Sequence, residues 1–313
     1  MVNSPLDLSI VVPLFNEAES LEELARLIEQ VCMQAGYRYE VWLIDDGSTD
    51  GSWEVIRRIH ERNPAFKGVR FRRNYGKSAA LAAGFARAQG RYVVTMDADL
   101  QDDPTEIPAL IEILEQGYDL VSGWKQRRQD PLSKTIPSRL FNWVTRIVSG
   151  IPLHDFNCGL KAYRLEVVQQ IRVYGEMHRY IPVLARWEGF DRITEKPVRH
   201  HPRRYGRTKF GVSRFLHGFL DLIAVTFLTR YVRRPMHFFG ALGTAFILLG
   251  LLINAYLTLE WLQGRPLSNR PLLFLGILLL ILGVQFFATG LLGEMIIRPE
   301  MERGAYQVRE ELR

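Results

Sequence analysis

Cysteine is scarce in this sequence, because its 313 residues include only Cys32 and Cys158. Two cysteines cannot build a disulfide framework, and neither has the spacing that is typical of zinc ligands. We expect both to be free thiols in a reducing compartment. The first 15 residues also lack the basic region and the long apolar run of a signal peptide, so the N-terminal domain is expected to stay in the cytoplasm.

Charged side chains are absent from two long stretches near the C-terminus, residues 238–259 and 271–293. Each stretch matches the roughly 20 apolar residues that a helix needs to cross a bilayer core. The sequence therefore predicts two transmembrane helices within residues 235–297. A buried helical hairpin of a soluble protein is the alternative interpretation.

Arginines flank these two stretches. The short connection 263–270 carries two of them, while Arg233 and Arg234 precede the first stretch and Arg298 and Arg303 follow the second. Because positive residues are retained on the cytoplasmic side, both ends are expected there, including a tail at 298–313. The pattern predicts a multi-pass protein of the cytoplasmic (inner) membrane.

Short apolar runs rich in β-branched residues alternate with segments of helical periodicity. Strands are expected at 8–12, 41–44, 69–71 and 92–96, and helices at 18–35, 52–62, 77–89 and 106–116. This alternation is typical of an α/β fold with a doubly wound, mainly parallel sheet. Ligands of such sheets bind beyond the carboxyl ends of the strands. The loops at those ends are therefore the candidate site of a domain that spans residues 1–212.

Two further segments carry apolar residues at helical spacing beside basic ones. In the amphipathic helix expected at about 134–151, Phe141, Val144 and Ile147 recur at this spacing, with Trp143 among them. Segment 213–234 is richer still in apolar residues and predicts a juxtamembrane helix. Their proximity to the predicted spans favours a position in the membrane interface. Ordinary core helices are the alternative.

The strand expected at 92–96 runs directly into an acidic loop that contains Asp97, Asp99, Asp102 and Asp103. Neighbouring carboxylates repel one another, and a divalent cation that prefers hard oxygen ligands would relieve this repulsion. The loop therefore favours a Mg²⁺ or Mn²⁺ site that bridges diphosphate oxygens. A solvated acidic turn before the helix that follows Pro104 is the alternative.

The loops after the first two strands are also polar. Their sequences are VPLFNE at 12–17 and DDGSTD at 45–50, and their side chains could grip a nucleoside. Simple helix capping by Asn16 and Asp50 is the alternative. A phosphate-binding P-loop is excluded, because Phe71 stands where that motif requires glycine. No polynucleotide-binding motif is found, so no nucleic acid partner is expected.

Five segments, taken in chain order, resemble family 2 glycosyltransferases: VPLFNE, DDGSTD, RRNYGKSAAL, MDADLQDDP and HDFNCGLKAYR. The resemblance covers nearly the whole chain and is to the polyprenyl-phosphate type, such as dolichol-phosphate mannose synthases and, more closely, bactoprenol glucosyltransferases. It implies a GT-A-like, Rossmann-like domain that works with Mg²⁺ or Mn²⁺. It also implies assembly as a homo-tetramer.

The resemblance further implies an inverting transfer of a sugar, glucose from UDP-glucose in the first place, to polyprenyl (undecaprenyl) phosphate. The product would be a β-linked polyprenyl-phosphate sugar for cell-envelope, lipopolysaccharide or glycan modification. GDP-mannose and UDP-aminoarabinose are alternative donors. A processive polysaccharide synthase is a weaker reading, because Val183 stands where its Gln-x-x-Arg-Trp motif begins. A non-catalytic nucleotide-binding membrane anchor would not need the two aspartates of the acidic loop.

The same resemblance assigns residues to the donor site. Asp97 and Asp99 would be the DxD metal pair, with Gln101 in the metal and diphosphate site and Asp99 also among the catalytic residues. Asp97 would in addition lie in the nucleotide site, whose other members would be Pro13, Phe15, Glu17, Asp46 and Lys77.

The residues that would bind the acceptor are inferred from the charge of its phosphate. A polyprenyl phosphate carries close to two negative charges at neutral pH, so it needs cations more than it needs a base. The candidate cations are Lys125, Arg128, Arg139, Arg204 and Lys209. A looser grip on anionic lipid headgroups is their alternative role.

Asp155 resembles the position that is often assigned as the catalytic base in these enzymes. Because the acceptor oxygen is already ionised, Asp155 is expected to orient the sugar or a phosphate-binding cation. A surface turn is the alternative interpretation of this segment.

Overall fold

The computed structural model describes residues 6–126, 132–175, 177–202, 235–266 and 270–302. The chain forms two compact units, Met1–Val225 and Thr226–Arg313. The first unit holds an α/β domain, and the second holds a pair of long helices.

The strands of the first unit are β1 (Leu8–Leu14), β2 (Tyr39–Asp45), β3 (Phe66–Arg70), β4 (Tyr92–Thr95), β5 (Leu120–Trp124), β6 (Lys161–Arg164) and β7 (Ile193–Pro197). Its helices are α1 (Ala18–Gln34), α2 (Ser52–Arg62), α3 (Lys77–Phe85), α4 (Ile107–Glu115), α5 (Leu132–Ser149), α6 (Leu165–Gln170) and α7 (Ile181–Trp187). Short 3₁₀ turns occupy Pro104–Glu106 and Met177–Tyr180.

The seven strands form one sheet in the order β3-β2-β1-β4-β6-β5-β7. The pairs β1–β2, β2–β3, β1–β4 and β5–β7 are parallel, while β6 runs antiparallel to both β4 and β5. The predicted mainly parallel α/β sheet is confirmed. Because β6 alone is reversed, the chain entering β6 lies at the same edge as the chain leaving β4.

Apolar residues cover both faces of the sheet. One cluster joins the strands to α1, α2 and α4 and includes Leu24, Ile59 and Leu110. The other joins them to α3, α6 and α7 and includes Phe85 and Ile181. Burial of these side chains on both faces is what a doubly wound sheet requires.

Helix α3 ends at Phe85, four residues before the predicted end at Gln89. The amides of Gln89 and Gly90 leave the helix and donate to the Ser9 hydroxyl at 3.1 and 2.8 Å, and the Gln89 amide also reaches Glu40. A Cβ at Gly90 would lie 2.5 Å from the backbone of Leu8. This tight crossing over β1 stops the helix before β4 begins.

Helix α5 covers Leu132–Ser149, close to the predicted 134–151. Among its described side chains, Asn142 and Thr145 are buried, and Phe141 packs 5.5 Å from the Tyr180 ring. Trp143 and Ile147 are 59% and 58% exposed. One face of α5 therefore belongs to the core, while the other presents large apolar side chains outward. The helix predicted at 213–234 lies outside the described residues.

The second unit contains α8 (Pro235–Leu262) and α9 (Pro271–Glu302). Both are long and apolar enough to cross a membrane, since 18-residue windows within Met236–Leu262 and Pro271–Gly293 have mean hydropathies of 2.0 and 2.5. The helices pack through glycine, because a Cβ at Gly243 would lie 2.6 Å from the Gly283 carbonyl oxygen. Leu252 and Phe274 are 68% and 75% exposed, so the alternative of a buried soluble hairpin is wrong for this unit.

Candidate active site

The loops after β1 and β2 hold each other by side-chain hydrogen bonds. The Ser48 hydroxyl accepts from the Asn16 amide at 2.8 Å, and the Asn16 side chain accepts from the Thr49 amide at 2.8 Å. Asp50 accepts from the first amides of α1 and α2, those of Ala18 and Ser52, at 3.1 Å each. Asp50 therefore satisfies the first amide of each helix, although the N-cap positions themselves are Glu17 and Gly51, while the Asn16 side chain joins the two loops and caps neither helix.

The loops after β2 and β3 meet at Asp46. Its carboxylate accepts from the amides of Tyr75 and Gly76 at 2.7 and 2.9 Å. Burial raises the pKa of Asp46, although these two hydrogen bonds oppose the shift. Next to it, Gly47 has φ +76°, and a Cβ there would lie 2.5 Å from the backbone of Arg73. Only glycine allows the two loops to cross this closely.

The loops after β3 and β4 meet in an ion pair between Lys77, the first residue of α3, and Asp97. The Asp97 carboxylate also lies against Gly159, where a Cβ would stand 2.5 Å from Oδ2. Burial opposes ionisation of Asp97, but Lys77 and Lys125 outweigh it and lower its pKa to about 2. The predicted convergence of the four strand-end loops is thus present in the structure.

Asp99 and Asp102 make the acidic loop strongly charged. Burial, with Asp97 and Asp102 nearby, raises the pKa of Asp99 to about 6. Asp102 is fully buried and pairs with the Lys125 ammonium at 2.8 Å. Lys125 therefore lies beside the acidic loop, where it stabilises the negative charge of Asp102 and Asp97.

The donor set around Asp97 and Asp99 fits a divalent cation. The Gln101 backbone amide donates to Asp99 Oδ1 at 3.2 Å, and its side-chain amide donates to the His201 carbonyl oxygen at 3.4 Å. Within the described ranges, no three His, Cys, Asp or Glu side chains are grouped as metal ligands. Two carboxylates with water and ligand phosphates are, however, how Mg²⁺ is usually held. Burial and the neighbouring carboxylates raise the pKa of Asp99, and a bound cation would favour its charged form against both.

Asp155 is 1% exposed, so the surface-turn interpretation is wrong. Its side chain accepts from the Asn157 amide at 3.1 Å, and its carbonyl accepts from the Ser122 hydroxyl at 3.2 Å. These bonds fix the turn that leads into β6. The carboxylate is thereby placed on the chain segment that enters the edge carrying Asp97.

For the remaining predicted site residues, the structure gives fewer contacts or does not describe the side chain. Pro13 and Asp97 line the same small cavity, and Phe15 and Glu17 are half-buried in the loop after β1. Arg139 lies in α5, but its side chain is outside the described set. Arg128, Arg204 and Lys209 lie outside the described residues.

Sequence reasoning missed two ionisable residues, Lys161 and His178, which line the same small cavity as Asp97. Lys161 begins β6, is 3% exposed and donates to the Cys158 carbonyl. His178 contacts the Ser78 hydroxyl at 3.1 Å, and burial, aided by Lys77, lowers its pKa to about 3. The lysine inside the quoted segment HDFNCGLKAYR was the available signal.

Both cysteines, Cys32 and Cys158, are free thiols, as predicted, and the structure buries both. Burial raises the pKa of each thiol to about 12, so neither is a reactive thiolate at neutral pH. The chemistry of this region therefore depends on its carboxylates and ammonium groups.

Known proteins share this architecture. A dodecaprenyl-phosphate galacturonate synthase of Rhizobium johnstonii is 41% identical over 298 residues, which cover 94% of this chain and 88% of that protein. An undecaprenyl-phosphate 4-deoxy-4-formamido-L-arabinose transferase of Pseudomonas syringae is 38% identical over 294 residues, covering 93% and 85%.

Among solved structures, glucosyl-3-phosphoglycerate synthase from Mycobacterium tuberculosis, in complex with Mn²⁺, UDP-glucose and phosphoglyceric acid, has a TM-score of 0.55 at 20% identity. The match covers 72% of this chain and 79% of that one, and it supports the GT-A-like fold. Residues 9–172 match the family model described as glycosyl transferase family 2. With this match and relatives of about 40% identity along nearly its whole length, the chain belongs to glycosyl transferase family 2.

Proposed function

We propose that this protein transfers a sugar from a nucleotide diphosphate donor to a polyprenyl phosphate. The observation that carries the proposal is the Asp97–Lys77 pair at the point where four strand-end loops are tied together. Negative and positive side chains meet there, as a metal-bound diphosphate requires. The polyprenyl-phosphate acceptor is taken from the names of the two relatives.

The reaction is a single displacement at the anomeric carbon. An oxygen of the acceptor phosphate forms the new bond, the bond to the donor's diphosphate breaks, and the nucleoside diphosphate leaves with the electron pair. The acceptor is already ionised near neutral pH, so no proton has to be removed from it. Inversion at the carbon would give a β-linked product from an α-linked donor.

Asp97, Asp99 and Gln101 would hold Mg²⁺ or Mn²⁺, which would neutralise charge on the departing diphosphate. Lys77 stands beside the same carboxylate and would contact the donor phosphates when they enter. Lys125 is committed to Asp102, so we place it on the donor side, supporting the acidic loop, and not among the lipid-phosphate ligands.

The nucleoside would lie over the loops after β1 and β2, near Pro13, Phe15 and Glu17. Both carboxylate oxygens of Asp46 already accept hydrogen bonds from loop amides, those of Tyr75 and Gly76. Its contribution would be to set the shape of that pocket as well as to contact the nucleoside. On the acceptor side, Arg128, Arg139, Arg204 and Lys209 would bind the lipid phosphate.

Asp155 would orient the sugar or a phosphate-binding cation, since its carboxylate is buried and fixed by the Asn157 amide. Replacing it with asparagine should therefore reduce turnover at every pH. A loss of turnover confined to acidic buffer would instead assign Asp155 the role of a base.

The membrane arrangement is proposed from composition and exposure. Residues 1–212 would form the cytoplasmic catalytic domain, 213–234 a juxtamembrane helix, 235–297 two spans of the inner membrane and 298–313 a cytoplasmic tail. The exposed Trp143 and Ile147 of α5 would lie in the interface. The acceptor's phosphate could then reach the site while its isoprenoid chain stays in the bilayer. A tetramer stays a prediction, which sedimentation in detergent would test.

The names of the two relatives reduce the number of candidate donor sugars. Their names specify galacturonate and 4-deoxy-4-formamido-L-arabinose, and neither names glucose, the sugar first expected. We propose a donor of one of these two classes, one carrying a carboxylate and the other a neutral formamido group.

The decisive test uses the full-length protein in detergent with undecaprenyl phosphate and a panel of nucleotide sugars, each with Mg²⁺, Mn²⁺ or chelator. Mass spectrometry should detect one lipid-linked sugar that forms only with a metal present. Formation of long saccharide chains would favour a processive synthase. Donor binding without any lipid product would favour a non-catalytic anchor.

A further inference from the structure

The turn that carries Asp155 connects α5 to β6, and the sheet holds it on one side. The Ser122 hydroxyl of β5 donates to the Asp155 carbonyl oxygen at 3.2 Å. The Glu195 carboxylate of β7 accepts from the His154 amide at 2.6 Å, and the His154 ring stacks on Trp124 with the ring centroids 4.3 Å apart. The sheet therefore fixes the backbone at Asp155 and at the residue before it.

Helix α5 holds the same turn from the other side. The Asn142 side-chain oxygen accepts from the Phe156 amide at 3.2 Å, and Arg146 Nε donates to the Leu153 carbonyl oxygen at 2.9 Å. These two contacts lie on either side of Asp155 in the chain, one residue after it and two residues before it. A shift of α5 would therefore be passed directly to the backbone that carries this carboxylate.

Asn142 is a polar residue in an apolar part of the domain. Its side chain is 7% exposed, and the turn beside it buries Ile151, Leu153 and Phe156 almost completely. A buried amide group is costly unless it is hydrogen-bonded. Because an apolar side chain would fill this place at a lower cost, the hydrogen bond to the Phe156 amide is the feature that asparagine supplies here.

Thr145 provides the comparison within α5. It is fully buried, but its hydroxyl oxygen makes no hydrogen bond to any residue that the structure describes. Two buried polar side chains of one helix therefore differ in one respect: Asn142 is hydrogen-bonded to the turn that carries Asp155, and the Thr145 hydroxyl is not.

The position of the Asp155 carboxylate also affects the donor side of the site. Lys161 and Asp97 line one small cavity. Burial lowers the pKa of Lys161, and the carboxylates of Asp155 and Asp97 are among the groups that oppose this shift by favouring the charged form. Asp155 therefore interacts with the same buried ammonium group as Asp97. A displacement of the turn would change the arrangement of charges next to the proposed metal site.

We propose that Asn142 is a positioning residue, which sets the place of the Asp155 carboxylate by holding the Phe156 amide. This inference rests on the proposed function and deepens it, because it connects Asp155 with the helix whose outer face would lie in the membrane interface. Loss of the hydrogen bond would let the carboxylate move relative to the sugar, and a small displacement of an orienting group lowers the rate strongly.

The test is a double-mutant cycle on the full-length protein in detergent. Its substrates are undecaprenyl phosphate and either UDP-galacturonate or UDP-4-deoxy-4-formamido-L-arabinose, whichever donor gives product. Asn142→Leu should lower kcat by about 10- to 50-fold and leave the donor KM within about twofold. In an Asp155→Asn background, the same change should lower kcat by less than about twofold further, since the orienting carboxylate is already lost. Thr145→Val is the matched control and should keep the wild-type kcat.

Hydrogen exchange measures the same link without turnover. By mass spectrometry, residues 153–158 should exchange faster in Asn142→Leu than in the wild type or in Thr145→Val, because the turn is then released from α5. Residues 45–50, at the proposed nucleoside site, should exchange as in the wild type. If the wild type forms no lipid product, the proposed function is wrong, and the exchange of residues 153–158 still decides whether Asn142 holds the turn.

Three results would overturn the inference. Additive losses of kcat in the cycle would mean that Asn142 does not act through Asp155. A rise in donor KM as large as the loss of kcat would indicate a general loss of structure. Unchanged exchange at residues 153–158 would show that the hydrogen bond does not hold the turn. If Asn142→Leu does not fold, Arg146→Met removes the other α5 contact and should give the same non-additive loss, and an additive loss there would have the same meaning.

Discussion

The two units of this chain place their side chains in opposite ways. In the α/β unit, Leu24 and Ile28 are fully buried and ionisable groups collect at one edge of the sheet. In the helical unit, Leu252 and Phe274 face outward and the interior of the pair is lined by Gly243 and Gly283. The first arrangement suits a charged ligand from water, and the second suits a hydrocarbon surround.

The difference teaches where each unit is sensitive to change. In the α/β unit, each buried charge is stabilised by a neighbouring opposite charge. The loss of one charged group there should therefore have a large effect on activity or stability. A unit held by close helix packing depends on small residues at the contact and tolerates change on its outer surface. Five variants test this contrast.

Replacing Asp97 with asparagine removes the charge that pairs with Lys77 and that would bind the proposed metal. We expect kcat to fall on the order of 1000-fold, because the diphosphate would leave without that compensation. Radiolabel transfer to undecaprenyl phosphate measures the effect. Asp191→Asn is the control, since its side chain is 76% exposed, and it should keep wild-type turnover. Retention of more than a tenth of the activity by Asp97→Asn would contradict the assigned role.

Alanine at Gly47 tests the loop crossing. Gly47 and Gly36 both have positive φ, +76° and +69°, but only at Gly47 would a Cβ meet backbone, 2.5 Å from Arg73. Gly36→Ala should cost about 1 kcal/mol of unfolding free energy from backbone strain alone. Gly47→Ala should cost about 3 kcal/mol and weaken donor binding. If denaturant titrations give equal losses of unfolding free energy for the two variants, the loops can move apart at little cost to accommodate the Cβ.

Leucine at Gly283 tests the helical unit. A Cβ at this position would lie 2.7 Å from the Ile247 side chain and 2.8 Å from the Gly243 carbonyl oxygen. We expect a loss of about 2 kcal/mol in unfolding free energy in detergent, because α8 and α9 must separate. Ala288→Leu on the exposed side of α9 is the control and should have little effect. A stable Gly283→Leu variant would show that the close contact is dispensable.

His178 makes the α/β unit sensitive to acid. Its folded pKa of about 3 is below the ordinary value of 6.5, since burial disfavours the charged ring. As pH falls from 7 to 5, the unfolded chain gains a proton that the folded chain does not accept. The unfolding free energy should therefore fall by about 2 kcal/mol more in the wild type than in His178→Gln. Parallel denaturation curves at both pH values would contradict this.

The outer face of α5 exposes large apolar side chains, Trp143 and Ile147, as the helical unit does. Replacing both Trp143 and Ile147 with serine should weaken binding to anionic vesicles by roughly five- to tenfold, because each exposed apolar side chain contributes modestly. Co-sedimentation with vesicles measures this. Met33→Ser, which removes an equally exposed apolar side chain from α1, is the control and should bind as the wild type does.

Local patterns predicted much of this structure. Strand ends followed by polar loops located Asp46, Lys77 and Asp97 at one edge, because parallel strands align their carboxyl ends. The two uncharged stretches predicted α8 and α9. The apolar side chains that make these stretches recognisable are the ones that the structure leaves exposed. Lys161 was missed because its burial depends on β6 lying between β4 and β5, a pairing of distant segments. The Lys125–Asp102 contact also joins separate loops, and no spacing rule reports it.

The reversal of β6 has a consequence for how such enzymes diversify. The excursion from the end of β5 to the start of β6 both departs from and returns to the edge that carries Asp97. Insertions within it can lengthen, shorten or reshape the chain beside the proposed acceptor site without shifting any strand of the sheet. The proposed donor site, built from the loops after β1 to β4, would stay in place while the acceptor changes over evolutionary time.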